Sequence, residues 1–254
     1  MAVLLQTSKL SKSFLSGKVQ QQVLKNLDLE IYGKDFTVIM GPSGSGKSTL
    51  LYALSGMDTP SAGAVIYKSG KEINIAELSQ DELADFRAKN CGFVFQQIYL
   101  VEGMSILDNV LLSGLLNNKD KQKVLAKAKS ILQAVGIAEP MFNKFPSQLS
   151  GGEAQRVGVA RAAVTSPKIL FADEPTGSLN SQHSNAVLDI LVQLNNQGQS
   201  IVMVTHDINS AIRANRILYI KDGTICGELK LDKYTTEDEG RKVKVKDFLT
   251  RLGW

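Results

Sequence analysis

The stretch GPSGSGKSTLL, Gly41 to Leu51, combines three glycines with a lysine that is followed directly by a pair of hydroxyl side chains. It fits the pattern Gly-x-x-x-x-Gly-Lys-Ser, in which backbone N–H groups surround a polyphosphate at the start of a helix. Lysine would add positive charge for the outer phosphates, and the Ser48 hydroxyl could ligate Mg²⁺. The alternative is a chance flexible loop. The stretch follows an apolar run and precedes a helical pattern, which is the context that a phosphate-binding loop requires and favours that interpretation. The predicted phosphate contacts are Gly41, Ser43, Gly44, Ser45, Gly46, Lys47, Ser48 and Thr49.

Two carboxylates follow a second apolar run, ILFADEP (Ile169–Pro175). Asp173 is predicted to hold the Mg²⁺ shell through water, beside the glycine loop if the two strands are neighbours. Glu174 would orient and polarise the attacking water. The alternative is a strand that merely ends in an acidic turn. His206 ends another apolar run and is predicted to contact the terminal phosphate, whereas His183 is assigned no role.

A second candidate cradle for phosphate is LSGGE, Leu149–Glu153, which opens a predicted helix. Ser150, Gly151 and Gly152 could present a hydroxyl and backbone N–H groups at that helix N-terminus. One chain with one glycine loop needs only one cradle. Two copies arranged head to tail would use both, with each nucleotide between the glycine loop of one copy and LSGGE of the other.

Alternating strands and helices would position these residues. FTVIM, KILFAD and SIVMVTH are predicted strands, and the helical spacing in QKVLAKAKSILQAVG, GEAQRVGVARAAVTSP and SNAVLDILVQLNN predicts helices, the second of them ended by Pro167. Turn residues predict hairpins at Ser69-Gly70 and Asp222-Gly223. The alternation favours a mainly parallel sheet covered by helices. In the charged tail, RKVKVK (Arg241–Lys246) alternates as an exposed edge strand would, with a membrane-surface patch as the alternative.

Composition describes an ordinary globular chain of 254 residues, 43% hydrophobic and 21% charged. No apolar run is long enough to cross a bilayer, and the N-terminal residues do not resemble a secretion signal. Two cysteines and two histidines exclude a disulfide framework and a histidine-rich metal site. The net charge of +4 permits contact with anionic lipid or nucleic acid but does not argue for either, and we expect no nucleic-acid partner. We therefore expect a cytosolic protein with reduced thiols.

Together, GPSGSGKST, FQQ, LSGGEAQRV, ILFADEP, GSLNS and the histidine of VTHD resemble, in this order, the motifs of ATP-binding-cassette (ABC) ATPases. The resemblance implies an α/β fold: a P-loop NTPase (RecA-like) core, an antiparallel β-subdomain and an inserted ABC-type helical subdomain. Its implied boundaries are a single ABC domain over 1–227, with core 1–88 and 166–227, helical subdomain about 89–165, and a charged extension over 228–254. ATP and Mg²⁺ are the implied cofactors.

Further site residues are implied by the same resemblance. Phe14 is similar to the aromatic residue that stacks on adenine, with a core phenylalanine as the alternative. Gln96, or its neighbour Gln97, resembles the glutamine that contacts Mg²⁺ and reports to a membrane partner, so the implied metal set is Ser48, Gln96 and Asp173. Ser150, Gly151, Gly152 and Glu153 would face the ATP of a second copy. Asn180 stands where aspartate is usual, so it could hydrogen-bond across a dimer without supplying charge.

The residues FRAKNCGFVFQQIYLVEGMSILDNVLL resemble the lipoprotein-releasing, macrolide-exporting and bacitracin-resistance branch of the family. That resemblance implies an integral membrane permease as a separate polypeptide, with this chain at the cytoplasmic face of the membrane. Export, extraction or mechanotransmission would be powered by ATP. The alternatives are a cell-division-type signalling ABC ATPase and a soluble, non-transport scaffold ATPase. DNA-repair and translation cassettes are disfavoured, because the chain has no coiled-coil insertion and one copy of the motifs.

Overall fold

The computed structural model describes residues 2–17, 19–238 and 240–254. Its residues form two compact units: the residues up to Ala84 together with Ser200–Trp254, and Asp85–Gln199. In chain order the strands and helices are β1 (Val3–Ser16), β2 (Val19–Leu27), β3 (Glu30–Tyr32), β4 (Phe36–Met40), α1 (Lys47–Ser55), β5 (Ala62–Ser69), β6 (Lys71–Asn74), α2 (Gln80–Asn90), β7 (Cys91–Phe95), α3 (Ile106–Leu115), α4 (Lys121–Ala134), α5 (Gly151–Ala163), β8 (Ile169–Asp173), α6 (Ser181–Asn196), β9 (Ser200–Val204), α7 (Ile208–Ala211), β10 (Arg216–Lys221), β11 (Thr224–Lys230) and α8 (Gly240–Arg251).

The first unit carries an antiparallel sheet in the order β2-β1-β5-β6, with β3 also paired to β1. The hairpin predicted at Ser69-Gly70 joins β5 to β6 and is confirmed. Leu27, Leu29 and Ile31 are all buried, as their alternation with polar residues predicts.

A second sheet of the same unit contains β11-β10-β4-β9, in which β10, β4 and β9 are parallel. Every residue of β4 and β9 is buried, which explains why these strands read as continuous apolar runs. The Asp222-Gly223 turn has positive φ at both positions and joins β10 to β11, so this predicted hairpin is confirmed.

The second unit pairs β7 with β8 in parallel and packs α3, α4, α5 and α6 into a helical layer. Its core includes Val110, Ala128, Leu132 and Val157. Helix α4 ends before Gly136, whose φ of +75° is the left-handed conformation that stops a helix. Helix α5 ends at Ala163, before the Pro167 that was predicted to end it.

The predicted edge strand over Arg241–Lys246 is wrong, because this segment lies in helix α8. Its charges alternate locally, but Arg241, Val245, Phe248 and Leu249 recur at helical spacing and are the buried residues of the helix. Elsewhere the predicted mixture of parallel sheet, antiparallel sheet and helices is confirmed. Among the described residues, no helix has both the length and the hydrophobicity to cross a membrane.

Candidate active site

The glycine loop connects β4 to α1 and has little space for side chains. A Cβ added at Gly41 would lie 2.0 Å from the carbonyl oxygen of Ile220 and 2.7 Å from Oγ of Ser45. Gly44 and Gly46 have φ of +76° and +99°, where glycine is strongly favoured. The loop is therefore a tight backbone cradle, as predicted from its glycines.

The β1–β2 hairpin packs against this cradle. A Cβ at Gly46 would lie 2.9 Å from Cδ2 of Leu24 and 3.1 Å from the carbonyl oxygen of Val23, both on β2. Phe14 lies on β1 and is 45% exposed, with Nζ of Lys12 4.9 Å from its ring centroid. A ring that is this exposed is available to a planar ligand. The alternative, a phenylalanine in the core, does not explain the exposure.

Lys47 is the first residue of α1 and is only 8% exposed. Its Nζ donates to the carbonyl oxygens of Gly41 and Pro42 at 3.0 and 2.8 Å, so the loop holds the ammonium in place. Helix α1 has no capping side chain and no acidic residue in its first turn. Side-chain oxygens of Ser105, Asp120, Ser150, Asn180 and Asp207 cap α3 to α7.

Ser45 provides an independent test of whether a polyphosphate fits. Its Oγ is buried and has no hydrogen-bond partner in the described part of the chain. A buried hydroxyl without a partner costs free energy, which a ligand oxygen would recover. Ser48 and Thr49 lie in the first turn of α1, which has no side-chain cap. Their hydroxyls, that of Ser45 and the N–H groups of the helix start are hydrogen-bond donors that suit an oxyanion such as phosphate.

His206 lies at the same sheet edge as the loop. Strands β4 and β9 are parallel, and Ile39 pairs with Val204, so the chain leaves both strands at their adjacent carboxyl ends. The N–H of Thr205 donates to the carbonyl oxygen of Ile39 at 3.3 Å. Asp207 caps α7 through N–H groups of Asn209 and Ser210, and its own N–H donates to Oγ1 of Thr205.

Gln96, Asp173 and Glu174 are grouped in the second unit. Phe95 pairs with Asp173 where β7 and β8 end, so Gln96 and Glu174 are the next residues of adjacent parallel strands. A Cβ at Gly177 would lie 2.8 Å from Nε2 of Gln96 and 3.4 Å from Oε2 of Glu174. Glu174 has φ of +45°, a strained conformation that is found at functional sites.

Asp173 was expected beside the glycine loop on the condition that its strand, β8, pairs directly with β4. This condition is not met, because β4 pairs with β10 and with β9. The sequence left this condition open, because sheet order depends on long-range pairing.

LSGGE opens α5 with a capping box. The N–H of Ser150 donates to Oε2 of Glu153 at 2.8 Å, the Ser150 hydroxyl donates to the same oxygen at 2.7 Å, and the N–H of Glu153 donates to Oγ of Ser150. The Ser150 backbone N–H and then its hydroxyl hold the pKa of the Glu153 carboxyl below its ordinary value. Gly151 is exposed at the helix start and Gly152 is buried.

His183 contacts this cradle, although no sequence motif assigns it a role. A Cβ at Gly152 would lie 2.6 Å from Cγ of His183, and one at Gly151 would lie 3.5 Å from Cδ2 of Leu179. Asn180 Oδ1 accepts from the N–H of His183 at 2.9 Å and caps α6, which begins before the predicted SNAV segment. The oxygen of Asn180 is therefore already used within its own chain.

Sequence reasoning missed two residues on α5 that bind the chain around Gln96. Residues 96–99 are here called the Gln96 loop; Arg161 binds this loop, and Gln155 binds Phe95, the residue directly before it. Arg161 donates to the carbonyl oxygens of Tyr99 and Ile98 at 2.5 and 2.6 Å. Gln155 is 1% exposed and donates to the carbonyl oxygen of Phe95 at 3.0 Å. Burial lowers the pKa of the Arg161 guanidinium. Both side chains bind backbone carbonyls, which no sequence motif identifies.

Comparison with known proteins identifies relatives over most of the chain. A family model described as ABC transporter matches residues 24–177. The chain is 44% identical over 214 residues to the uncharacterized ABC transporter ATP-binding protein MJ1508 of Methanocaldococcus jannaschii, covering 84% of this chain and 94% of that protein. It is 43% identical over 223 residues to the macrolide export ATP-binding/permease protein MacB of Mannheimia succiniciproducens, covering 87% of this chain and 34% of MacB. This chain thus spans about a third of the length of MacB.

A solved structure of similar fold is the dimeric post-hydrolysis state of the ATP-binding cassette MJ0796 bound to ADP and Pi. The TM-score is 0.80 at 36% sequence identity, covering 91% of this chain and 100% of that chain. A second dimeric structure of MJ0796 gives a TM-score of 0.81 at 37% identity.

Proposed function

This chain belongs to the ABC transporter family, and on that premise we propose that two copies of it bind ATP at shared sites and power a separate membrane permease. The chain is an ATP-binding, ATP-hydrolysing cassette with the ABC fold.

The glycine loop is the observation that carries the proposal. Backbone N–H groups from Gly44 to Ser48, the lysine held at 3.0 and 2.8 Å by loop carbonyls, and the partnerless Ser45 hydroxyl form a built anion cradle. When ATP binds, Lys47 would exchange loop carbonyls for phosphate oxygens, and Phe14 would stack on the adenine.

Ser48, Gln96 and Asp173 are the residues proposed to hold Mg²⁺. Hydroxyl, amide and carboxylate oxygens are hard ligands of the kind that Mg²⁺ prefers alongside substrate phosphates. When bound, the ion would neutralise charge that develops on the phosphates. This assignment rests on the motifs and on the family, together with the positions of Asp173 and Gln96 at the ends of the paired strands β8 and β7.

Glu174 is proposed to accept a hydrogen bond from the attacking water and to orient it, while His206 steadies the terminal phosphate. The positive φ of Glu174 supports this role, because such a backbone is kept where a side chain must point in one direction. Lys47 and the loop amides would stabilise charge on the departing phosphate groups.

Two copies are proposed to pair head to tail, with Ser150, Gly151 and Gly152 of the partner subunit completing each site. The dimeric structures of the similar cassette MJ0796 support a two-copy arrangement. In this chain Ser150 donates its hydroxyl proton to Glu153, so its donation to phosphate would require that bond to open.

A permease partner is proposed because the relative MacB is named an ATP-binding/permease protein. The chain would act at the cytoplasmic face of the membrane. It would drive export or extraction of a lipoprotein, drug or antimicrobial peptide, or transmit mechanical force across the membrane in response to such a molecule. The Gln96 loop and the residues up to Leu107 are the proposed contact with the permease.

Nucleotide binding by Lys47→Ala tests the proposed loop chemistry. We expect fluorescent ATP to bind the purified chain and to lose most of its affinity for this variant. The matched control is Lys71→Ala, which removes an equally charged side chain from exposed positions of β6. Retained affinity in Lys47→Ala, equal to that of the control, would overturn the assignment of the loop.

Membrane recovery tests the proposed partner. With its permease co-expressed, the chain should sediment with membranes, and without it the chain should stay in the supernatant. Sedimentation that does not depend on any co-expressed membrane protein would count against a separate permease.

A further inference from the structure

The C-terminal extension contains a buried arginine that the proposed mechanism does not use. Arg241 lies in the first turn of α8 and is 1% exposed. Its guanidinium donates to the carbonyl oxygens of Ile212 and Ala214, and to that of Asp232 at 3.0 Å. A buried guanidinium that donates to three backbone carbonyls fixes the chain segments that carry them.

Two of these carbonyls belong to the segment that follows His206. Ile212 directly follows α7, Ala214 lies two residues further on, and α7 begins directly after Asp207. Lys242 on α8 also donates from Nζ to Oδ1 of Asn209 at 2.9 Å. Helix α8 therefore holds α7 at its first turn and at its end.

An aromatic residue of the extension completes the contact. The ring centroid of Tyr234 lies 4.5 Å from Cζ of Arg213 and 5.6 Å from Cζ of Arg241. Asp238 places a carboxylate oxygen 3.9 Å from Nη1 of Arg241, which partly balances the buried charge.

A helix of the length of α7 has no stability of its own in water, because one turn does not repay the cost of nucleation. Its position depends on Asp207 at one end and on α8 along its side. His206 is joined to this helix through Asp207, so any movement of α7 changes where the imidazole lies. The contacts of the extension with α7 therefore also influence the position of His206.

We propose that Arg241 is a positioning residue that fixes His206 through α7, and that the C-terminal extension is in this way part of the hydrolytic machinery. The proposal rests on the role given to His206 under the proposed function. Arg241 does not touch the nucleotide and acts only through the segment 207–214. Loss of its fork of donors would release the carbonyls of Ile212 and Ala214 and so let α7 shift.

Histidine NMR tests this directly, because the chain has two histidines and the second serves as an internal reference. His183 lies in the other unit, against Gly152. In the full chain labelled with ¹³C at histidine Cε1, Arg241→Gln should shift or broaden the His206 signal and leave the His183 signal unchanged. The matched control is Lys244→Gln, an exposed residue of the same helix, which should move neither signal.

Turnover gives the second measurement. Arg241→Gln should lower kcat for ATP by about 10-fold with KM changed by less than about twofold, because misplacement of a group near the reaction affects the transition state most. Arg241→Lys keeps the charge but not the planar fork, so it should fall between the wild type and Arg241→Gln.

Each outcome decides one claim. An unchanged His206 signal in folded Arg241→Gln overturns the proposal, whatever happens to kcat. An unchanged kcat in His206→Ala instead overturns the role of His206 in the proposed function, while the NMR result still reports on the contact with α8. If Arg241→Gln unfolds and both signals move, Lys242→Ala replaces it, and that variant must move the His206 signal alone or the proposal fails.

Discussion

Replacing Arg161 by alanine should release the Gln96 loop from helix α5. The side chain donates two charge-assisted hydrogen bonds to that loop, at 2.5 and 2.6 Å. Each such bond contributes about 1.5–3 kcal/mol, and partial exposure of the guanidinium places these at the lower end. The pair then contributes about 3 kcal/mol, which corresponds to about a 100-fold change in the opening equilibrium of the loop.

Hydrogen–deuterium exchange of the Gln96 loop measures this equilibrium. Its amides should exchange up to about 100-fold faster in Arg161→Ala, since protection reports the free energy of local opening. Arg161→Lys should have about half the effect on the free energy, because one ammonium cannot span both carbonyls as the guanidinium does. The matched control is Arg156→Ala, which removes the same charge from the same helix.

The rate of ATP turnover should fall when the Gln96 loop opens more readily. If Gln96 is a Mg²⁺ ligand, Arg161→Ala should lower kcat by about 10- to 100-fold and leave folding of the rest of the chain intact. Exchange in the loop that is no faster than in Arg156→Ala would refute the reasoning, because the two hydrogen bonds would then contribute nothing to its position.

Three further predictions concern the signature cradle and the sheet edge. Gly152→Ala should lower kcat because its Cβ meets His183 at 2.6 Å, and His183→Ala in the same chain should restore much of the loss in a turnover assay. Glu153→Gln removes a negative charge near the proposed phosphate position and should lower KM for ATP by about 2- to 5-fold. The hydrogen bond from Arg216 holds the pKa of the Glu228 carboxyl below its ordinary 4.5. The ionised carboxylate therefore stabilises the fold above pH 4.5, and this stabilisation is lost as the pH falls through the pKa of the folded state. The amount by which Glu228→Gln lowers Tm should accordingly shrink between about pH 7 and pH 3.

The glycine loop could be predicted from the sequence because its chemistry is local. Gly41 and Gly46 are required by carbonyl and leucine atoms close to their Cα atoms, and Lys47 begins the helix that the pattern predicts. The family and the α/β fold followed from motifs of this kind, and both are confirmed by the comparisons. The roles of the individual site residues stay predictions.

Features that depend on long-range packing could not be predicted. Charge alternation over a short stretch suggested a strand where Arg241 and Phe248 lie on the buried face of a helix. Arg161 and Gln155 bind main-chain carbonyls of a segment about 60 positions away, and backbone acceptors leave no signature in the sequence. His183 had no assigned role because its contact with Gly152 depends on the packing of α6 against α5.

The most direct test of the central claim, an ATP sandwich of two copies, is size-exclusion chromatography of Glu174→Gln with and without ATP and Mg²⁺. The substitution keeps the shape of the side chain but removes the carboxylate that would activate water, so bound ATP should persist. We predict an ATP-dependent shift from monomer to dimer, and a loss of this shift when Ser150→Ala is added. A chain that binds ATP and stays monomeric under all these conditions would contradict the use of LSGGE in trans by the isolated protein.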